Sequence, residues 1–386
     1  MSGYVDRGDV PGLVTLVSRR GEEHVDAIGT ITMGGGRPVQ RDTIFRISSM
    51  TKPITAVATM ILVEECRLRL DESVDRLLPE LSDRRVLRRL DASVGDTVPA
   101  NRPITVRDVL TFRMGTGLVM AMPGTYPIQA AMEEAQLGQG PPSPSTPPGP
   151  DEWIRRLGTL PLIHQPGEKW MYNTGADVLG VLIARAAGQP FETFLRERVF
   201  EPLGMVDTGF SVPPEKIDRL ITGYGTDAAT GALSLYDDGE TGQWSRPPAF
   251  ASGAGGLVST IDDYAAFARM LLHKGRHGNE RVLSRPSVKT MTTDQLTPEQ
   301  KAGSSLVDGF FDNHGWGFGL SVVTRRENIF DSIGRFGWDG GLGTSGHTDP
   351  QEEMITVLMT QRAWTSPAPP NVCVDFWTSA YQALDD

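Results

Sequence analysis

A serine and a lysine three residues apart, Ser49 and Lys52, stand in "ISSMTKPITAVATMILVEE" just ahead of a long apolar run. Their chemistry is that of a nucleophile and its base. A serine hydroxyl attacks a carbonyl only if something takes its proton, and a lysine does so once its pKa is brought down. Ile54, Val57, Met60 and Ile61 fall on a helical period. Pro53 suits a first helical turn, where backbone N–H groups have no intrahelical partner. The helix therefore starts within a few residues of Ser49, and positions three apart in a first turn share a face. The Lys52 ammonium then meets the positive end of the helix dipole and the apolar run. Both favour the neutral amine.

Ser-x-x-Lys alone is a weak signal in a chain with six lysines, so its partners matter. Tyr172, in "QPGEKWMYNTGADVLG" (165–180), stands just before a predicted helix, where a phenol can share the serine proton. The competing reading is a packed core aromatic with its hydroxyl satisfied. "FGWDGGLG" (336–343) is a strand too glycine-rich to be chosen for packing, and its glycines let a substrate approach the backbone. Other chemistries lack their patterns. There is no Gly-x-Ser-x-Gly elbow, and the six histidines show neither His-Glu-x-x-His nor other metal spacing. No metal and no cofactor is expected. "GLGTSG" (341–346) matches a dinucleotide fingerprint, but "HTDPQEEMITVLM" after it reads as turn plus strand where that motif needs a helix. We read it as turn glycines.

Composition sets the class. The chain has 386 residues, 39% hydrophobic and 22% charged, with a net charge of −11 and a pI near 5.1. An acidic balance argues against nucleic acid or an anionic membrane as partner. No run of eighteen apolar residues occurs, and "MSGYVDRGDVPG" lacks the apolar core of a signal peptide. Two distant cysteines, Cys66 and Cys373, fit a reducing compartment, and the expected location is the cytoplasm.

The elements that must position the site follow from periodicity. "GLVTLVSRR" (12–20) and "HVDAIGTITM" (24–33) read as strands, and "GGGRPVQRD" as a loop. The middle is mostly helical: "RLDESVDRLLPEL" with Asp71 as N-cap, "TVRDVLTFRM", "TGADVLGVLIARAAG" ending at Gly188, then "PFETFLRERVFEPLG". Residues 136–152 are too proline-dense for regular structure. "GGLVSTIDDYAAFARMLLHKG" is a helix capped by Ser259 or Thr260. Strands follow at 315–326, 334–341 and 353–362, and "NVCVDFWTSAYQAL" is a closing helix. The expected fold is α/β (α+β): an antiparallel sheet built from both termini (1–65 and 245–386), flanked by helices, with a mainly helical inserted domain (66–244). Ser49 falls at the seam.

Together these segments resemble the Ser-x-x-Lys serine hydrolases: class C β-lactamases, D-Ala-D-Ala carboxypeptidases and family VIII carboxylesterases. The resemblance runs through "SMTK", "RLDESVDRLLPEL", "ITVRDVLTFRMGTGL", "QPGEKWMYNTGADVLG", "FEPLGMVDTGF" and "GAGGLVSTIDDYAAFARMLL", in that order. It implies Ser49 as nucleophile, Lys52 as its basic partner and Tyr172 as the motif tyrosine. The N–H groups of Ser49 and Gly341 are implied as oxyanion donors. Trp338, Asp339 and Gly340 fall where penicillin-recognising enzymes have Lys-Thr-Gly, and Thr174 stands where they have an asparagine. These four are the expected substrate-binding residues. Trp-x-Gly is similar to family VIII esterases and related acyltransferases, and an indole suits a neutral group. The implied function is cleavage of small carboxylic esters through a Ser49 acyl-enzyme. A β-lactamase or D-Ala-D-Ala carboxypeptidase is the second reading, with a β-lactam as the alternative substrate. An acyltransferase or a silent binding protein on the same fold comes third. The family usually has a helix before the first strand, and this chain starts after most of it.

Overall fold

The computed structural model describes every residue except Gln139, Ser305 and Asp386. Its centre is an eight-stranded sheet drawn from both ends of the chain. The N-terminal part supplies β1 (Gly12–Arg19), β2 (Glu22–Thr32) and β3 (Gly35–Pro38). The C-terminal part supplies β4 (His314–Trp316), β5 (Ser321–Val323), β6 (Phe336–Gly340), β7 (Thr344–Asp349) and β8 (Met354–Thr360). Their spatial order is β4-β5-β6-β7-β8-β1-β2-β3, every neighbouring pair antiparallel.

Alternation along the strands sends side chains to two cores. Val14, Leu16, Val357 and Met359 join the large core beneath the helices α1 (Thr51–Glu64) and α3 (Ile261–Leu272). Leu13 and Leu358 face the closing helix α4 (Asn371–Gln382) through Val372, Cys373, Phe376 and Trp377. Between α1 and α3 in sequence lies α2 (Thr174–Ala187), which ends at Gly188 in the left-handed conformation and packs on α1. Among the described residues no helix is long and apolar enough to cross a membrane.

Several local expectations are corrected. Asp71 caps nothing; it pairs with Arg107 at 2.7 Å, while Ser73 caps a short 3₁₀ turn. Residues 315–326 are not one strand but the hairpin β4–β5, turned at Gly319 with φ +69°. A Cβ there would lie 2.8 Å from the Lys52 carbonyl, so the turn is pressed against the start of α1. β3 occupies part of the stretch read as a loop. The strand β7, "TSGHTD", falls where turn glycines and a turn were expected. Its glycine and polar residues hide a strand buried along its whole length. Gly346 is required in it, because a Cβ would sit 2.3 Å from the Tyr264 ring and 2.7 Å from Met50 Cε.

Candidate active site

Ser49 lies in a 3₁₀ turn, Ser48–Met50, that leads directly into α1. The i, i+3 spacing does bring the two side chains together: Lys52 Nζ is 2.9 Å from Ser49 Oγ and donates to the Ala254 carbonyl at 2.6 Å. Lys52 is 1% exposed, whereas Ser49 is only partly buried. Burial brings the Lys52 pKa down to about 7, against the pull of Asp177, which favours the ammonium.

Tyr172 sits one side of this pair. Its ring centroid is 4.4 Å from Lys52 Nζ, and its hydroxyl lies close enough to Ser49 for that side chain to lower the phenol pKa. Burial holds its pKa well above the ordinary phenol value, opposed by Ser49 and Trp338. Trp338 Nε1–H donates to the Tyr172 oxygen at 2.6 Å. The indole is therefore more than the apolar surface expected of it; it is also a neutral donor to the tyrosine. Trp316 stacks edge-on to Trp338 at 4.7 Å and Phe310 at 5.9 Å, which fixes the ring.

β6 meets the serine turn closely. A Cβ on Gly340 would lie 2.3 Å from the Ile47 carbonyl, and Thr344 Oγ1 donates to that same carbonyl at 3.1 Å. Gly340 thus sets the approach of strand and turn and does not itself line the cavity, whereas Gly341 does. The open space around Gly341 leaves its backbone accessible, and β5 pairs with β6 only as far as Gly337. The edge from Trp338 to Gly341 faces a cavity of about 1140 Å³ that also reaches Ser49, Tyr172 and Asp339.

The profile of the family described as Beta-lactamase matches residues 1–370. The chain belongs to the Beta-lactamase family. Protein Rv1367c of Mycobacterium tuberculosis (strain ATCC 25618 / H37Rv) is 40% identical over 362 residues, covering 92% of this chain and 87% of that protein. Lovastatin esterase of Penicillium rubens is 30% identical, covering 92% and 89%. The solved structure of EstCE1, a hydrolase with promiscuous acyltransferase activity, superposes with a TM-score of 0.78 at 24% identity, covering 98% and 96%. The fold is accordingly that of the Beta-lactamase family.

Within that family frame, the structure separates the remaining predicted positions. Thr174 is sealed at 1% exposure and is not part of the cavity wall; the wall residue is Asn173, in the left-handed region at φ +82°. The helix α2 begins at Thr174, so the side chain before it, at the N-cap, is the one that projects outward. Asp339 lines the cavity and pairs with His347 Nε2 at 3.0 Å. Burial raises the Asp339 carboxyl, but His347, Ser345 and Arg335 more than offset this and hold it below the usual range. Burial and Arg335 keep His347 below its ordinary pKa, so a neutral imidazole donates to a carboxylate.

Sequence reasoning missed Asp177. It accepts from Ser252 Oγ at 2.6 Å and from the Ala254 N–H at 3.1 Å, and so holds the loop whose carbonyl receives Lys52. Burial raises its pKa, opposed by Ser252 and Lys52. The available signal was a lone acid inside the buried run "GADVLGVLI". The proline-dense 136–152 segment was read only as a loop. It forms one wall of the cavity through Pro141, Pro142 and Pro144, tied down by Gln243 to Ser143 and Ser145 and by Tyr236 to the Pro142 carbonyl.

Proposed function

We propose that this protein is a serine hydrolase cleaving carboxylic esters through a Ser49 acyl-enzyme. The observation that carries the reading is a buried lysine with a pKa near 7, 2.9 Å from a partly exposed serine oxygen. Neutral Lys52 takes the Ser49 proton as Oγ attacks the ester carbonyl, and the N–H groups of Ser49 and Gly341 receive the oxyanion. Collapse breaks the ester C–O bond, and the proton passes through Tyr172 to the departing alkoxide. Water then attacks the acyl-enzyme, giving up its proton to the same pair, and Ser49 is released with its proton restored. Tyr172, held neutral by burial, suits a relay better than a primary base.

Ester rather than β-lactam chemistry is supported by Trp338. The ring carboxylate of a β-lactam stands three bonds from the scissile carbonyl, and the strand residue beside the Ser49 site is a neutral indole rather than a cation. Lovastatin esterase, a relative whose name states an activity, supports the same chemistry. A panel of p-nitrophenyl esters of rising chain length, run beside a chromogenic cephalosporin, tests the reading. Cephalosporin hydrolysis faster than every ester would sink it. In Trp338→Lys, apolar ester turnover is expected to fall, because a cation without a partner is costly in a desolvated pocket. Affinity for carboxylate-bearing β-lactams is expected to rise roughly tenfold, about 1.4 kcal/mol. Inhibition constants for a cephalosporin in wild type and variant check this.

The Lys52 value also sets a pH dependence. The base is the unprotonated amine, so kcat/KM is expected to climb with pH through about 7 and level off above it. Asp177→Asn removes the charge that favours the ammonium, so the acid limb should move to lower pH. A limb that stays in place, or moves up, contradicts the assignment of Lys52 as base.

A further inference from the structure

The cavity continues past Trp338 onto the α4 face of the sheet, where its lining turns polar. Arg335, just before β6, is 3% exposed and belongs to this part of the wall. Its guanidinium is caged by three rings: its central carbon lies 5.2 Å from Trp377, 5.8 Å from Phe330 and 5.9 Å from Tyr381. Those faces stabilise a cation but accept no ordinary hydrogen bond. Among the described residues Nε and Nη2 have no hydrogen-bond partner.

The nearby carboxylates are engaged elsewhere. Asp331 accepts from Asn313 Nδ2 and from Asn328 N and Nδ2, at 2.9 to 3.2 Å. Asp349 accepts from Ser332 Oγ at 3.1 Å and Tyr381 OH at 2.6 Å. Asp339 is taken by His347. A buried guanidinium with idle donors is a costly arrangement unless an acceptor completes it, and an ionised acceptor recovers most.

We propose that this chamber is a second subsite that recognises a carboxylate at the far end of the substrate, with Arg335 as its cation. The inference rests on the ester reading above and extends it to a substrate class: esters with an apolar body and a remote acid group. Remoteness follows from the strand. At roughly 3.3 Å per residue, Arg335 is about 20 Å of backbone from Gly341. Even with its side chain extended along β6, it meets a carboxylate several bonds from the scissile carbonyl. A β-lactam ring carboxylate is too near that carbonyl to reach it. Phe310, which packs on both Trp338 and His314, gives the cavity an apolar wall on the way.

Two ester series test this, each paired with its ω-carboxamide counterparts. One is the mono-p-nitrophenyl esters of C6 to C10 dicarboxylic acids; the other is the ω-carboxyalkyl acetates, which place the acid on the alcohol side. Wild-type protein is expected to prefer the acid to the amide at least tenfold in kcat/KM in one series, mostly through KM. Arg335→Gln should abolish that preference by raising KM for the acid, with the amide within twofold of wild type; Arg335→Lys should retain part of it. The absence of a wild-type preference in both series overturns the proposal, and needs no variant to fold. So does an equal loss for acid and amide in Arg335→Gln, which is the mark of a structural role. Calorimetric binding of suberic acid monoamide against suberamide needs no turnover. Selective binding of the monoamide alongside failed ester hydrolysis keeps the subsite and sinks the esterase reading; ester turnover without either preference does the reverse.

Discussion

Ser49→Ala is expected to bring ester turnover down by about six orders of magnitude, while Ser48→Ala keeps most of it. Loss of the nucleophile in a serine hydrolase costs on the order of 10⁶ in kcat, leaving only what binding and oxyanion donors supply. The two serines are adjacent and both line the cavity, so proximity alone does not separate them. Geometry does. Lys52 Nζ reaches Ser49 Oγ, and the Tyr172 ring stands 4.4 Å from that same nitrogen. Ser48 is 2% exposed and occupies the left-handed region at φ +47°, which places it as part of the turn that presents its neighbour. A fluorophosphonate should label wild-type protein once, at Ser49, and leave Ser49→Ala unlabelled. Equal loss from both substitutions, or active protein that resists the label, would point to another nucleophile.

Lys52→Ala and Tyr172→Phe are each expected to remove most of kcat, and the double variant should cost little more than the worse single. The two groups meet at one hydroxyl, and the lysine nitrogen lies 4.4 Å from the tyrosine ring. Groups that move one proton along one path fail together, so their losses do not add. Tyr172→Phe also strands the Trp338 N–H, which now donates to that phenol, so part of its loss is a misplaced indole. Trp338→Phe separates the two effects, since it leaves the hydroxyl and removes only the donor. Losses that sum in the double variant would show that lysine and tyrosine act independently. Thermal unfolding of each variant is the control, because Lys52 and the ring are packed in the interior.

What the sequence determined alone was local. The Ser49–Lys52 pair was legible because both partners lie within one turn, where periodicity and Pro53 date the helix start. The same holds for α2 with its Gly188 cap and for α3 with Thr260. Tyr172 and the Trp338 segment were legible as motifs, but not their bond to each other across 166 residues of chain. The strand β7 was missed because a long-range constraint chose its glycine: Gly346 answers to Tyr264 and Met50, not to its own neighbours in sequence. Asn173 and Thr174 exchanged places for a related reason, since which of two adjacent residues projects into the cavity depends on where α2 begins, and helix ends are set by capping and packing. The apolar run after Lys52 already pointed to a neutral amine, but the tertiary structure alone decided the partners of the buried charges. Lys52 is brought to about 7 by burial and answered by Asp177 on another helix; Arg335 keeps idle donors among aromatic faces while Asp331, Asp339 and Asp349 hydrogen-bond to other groups. Pairing between elements is a property of a folded neighbourhood, and no spacing along a chain records it.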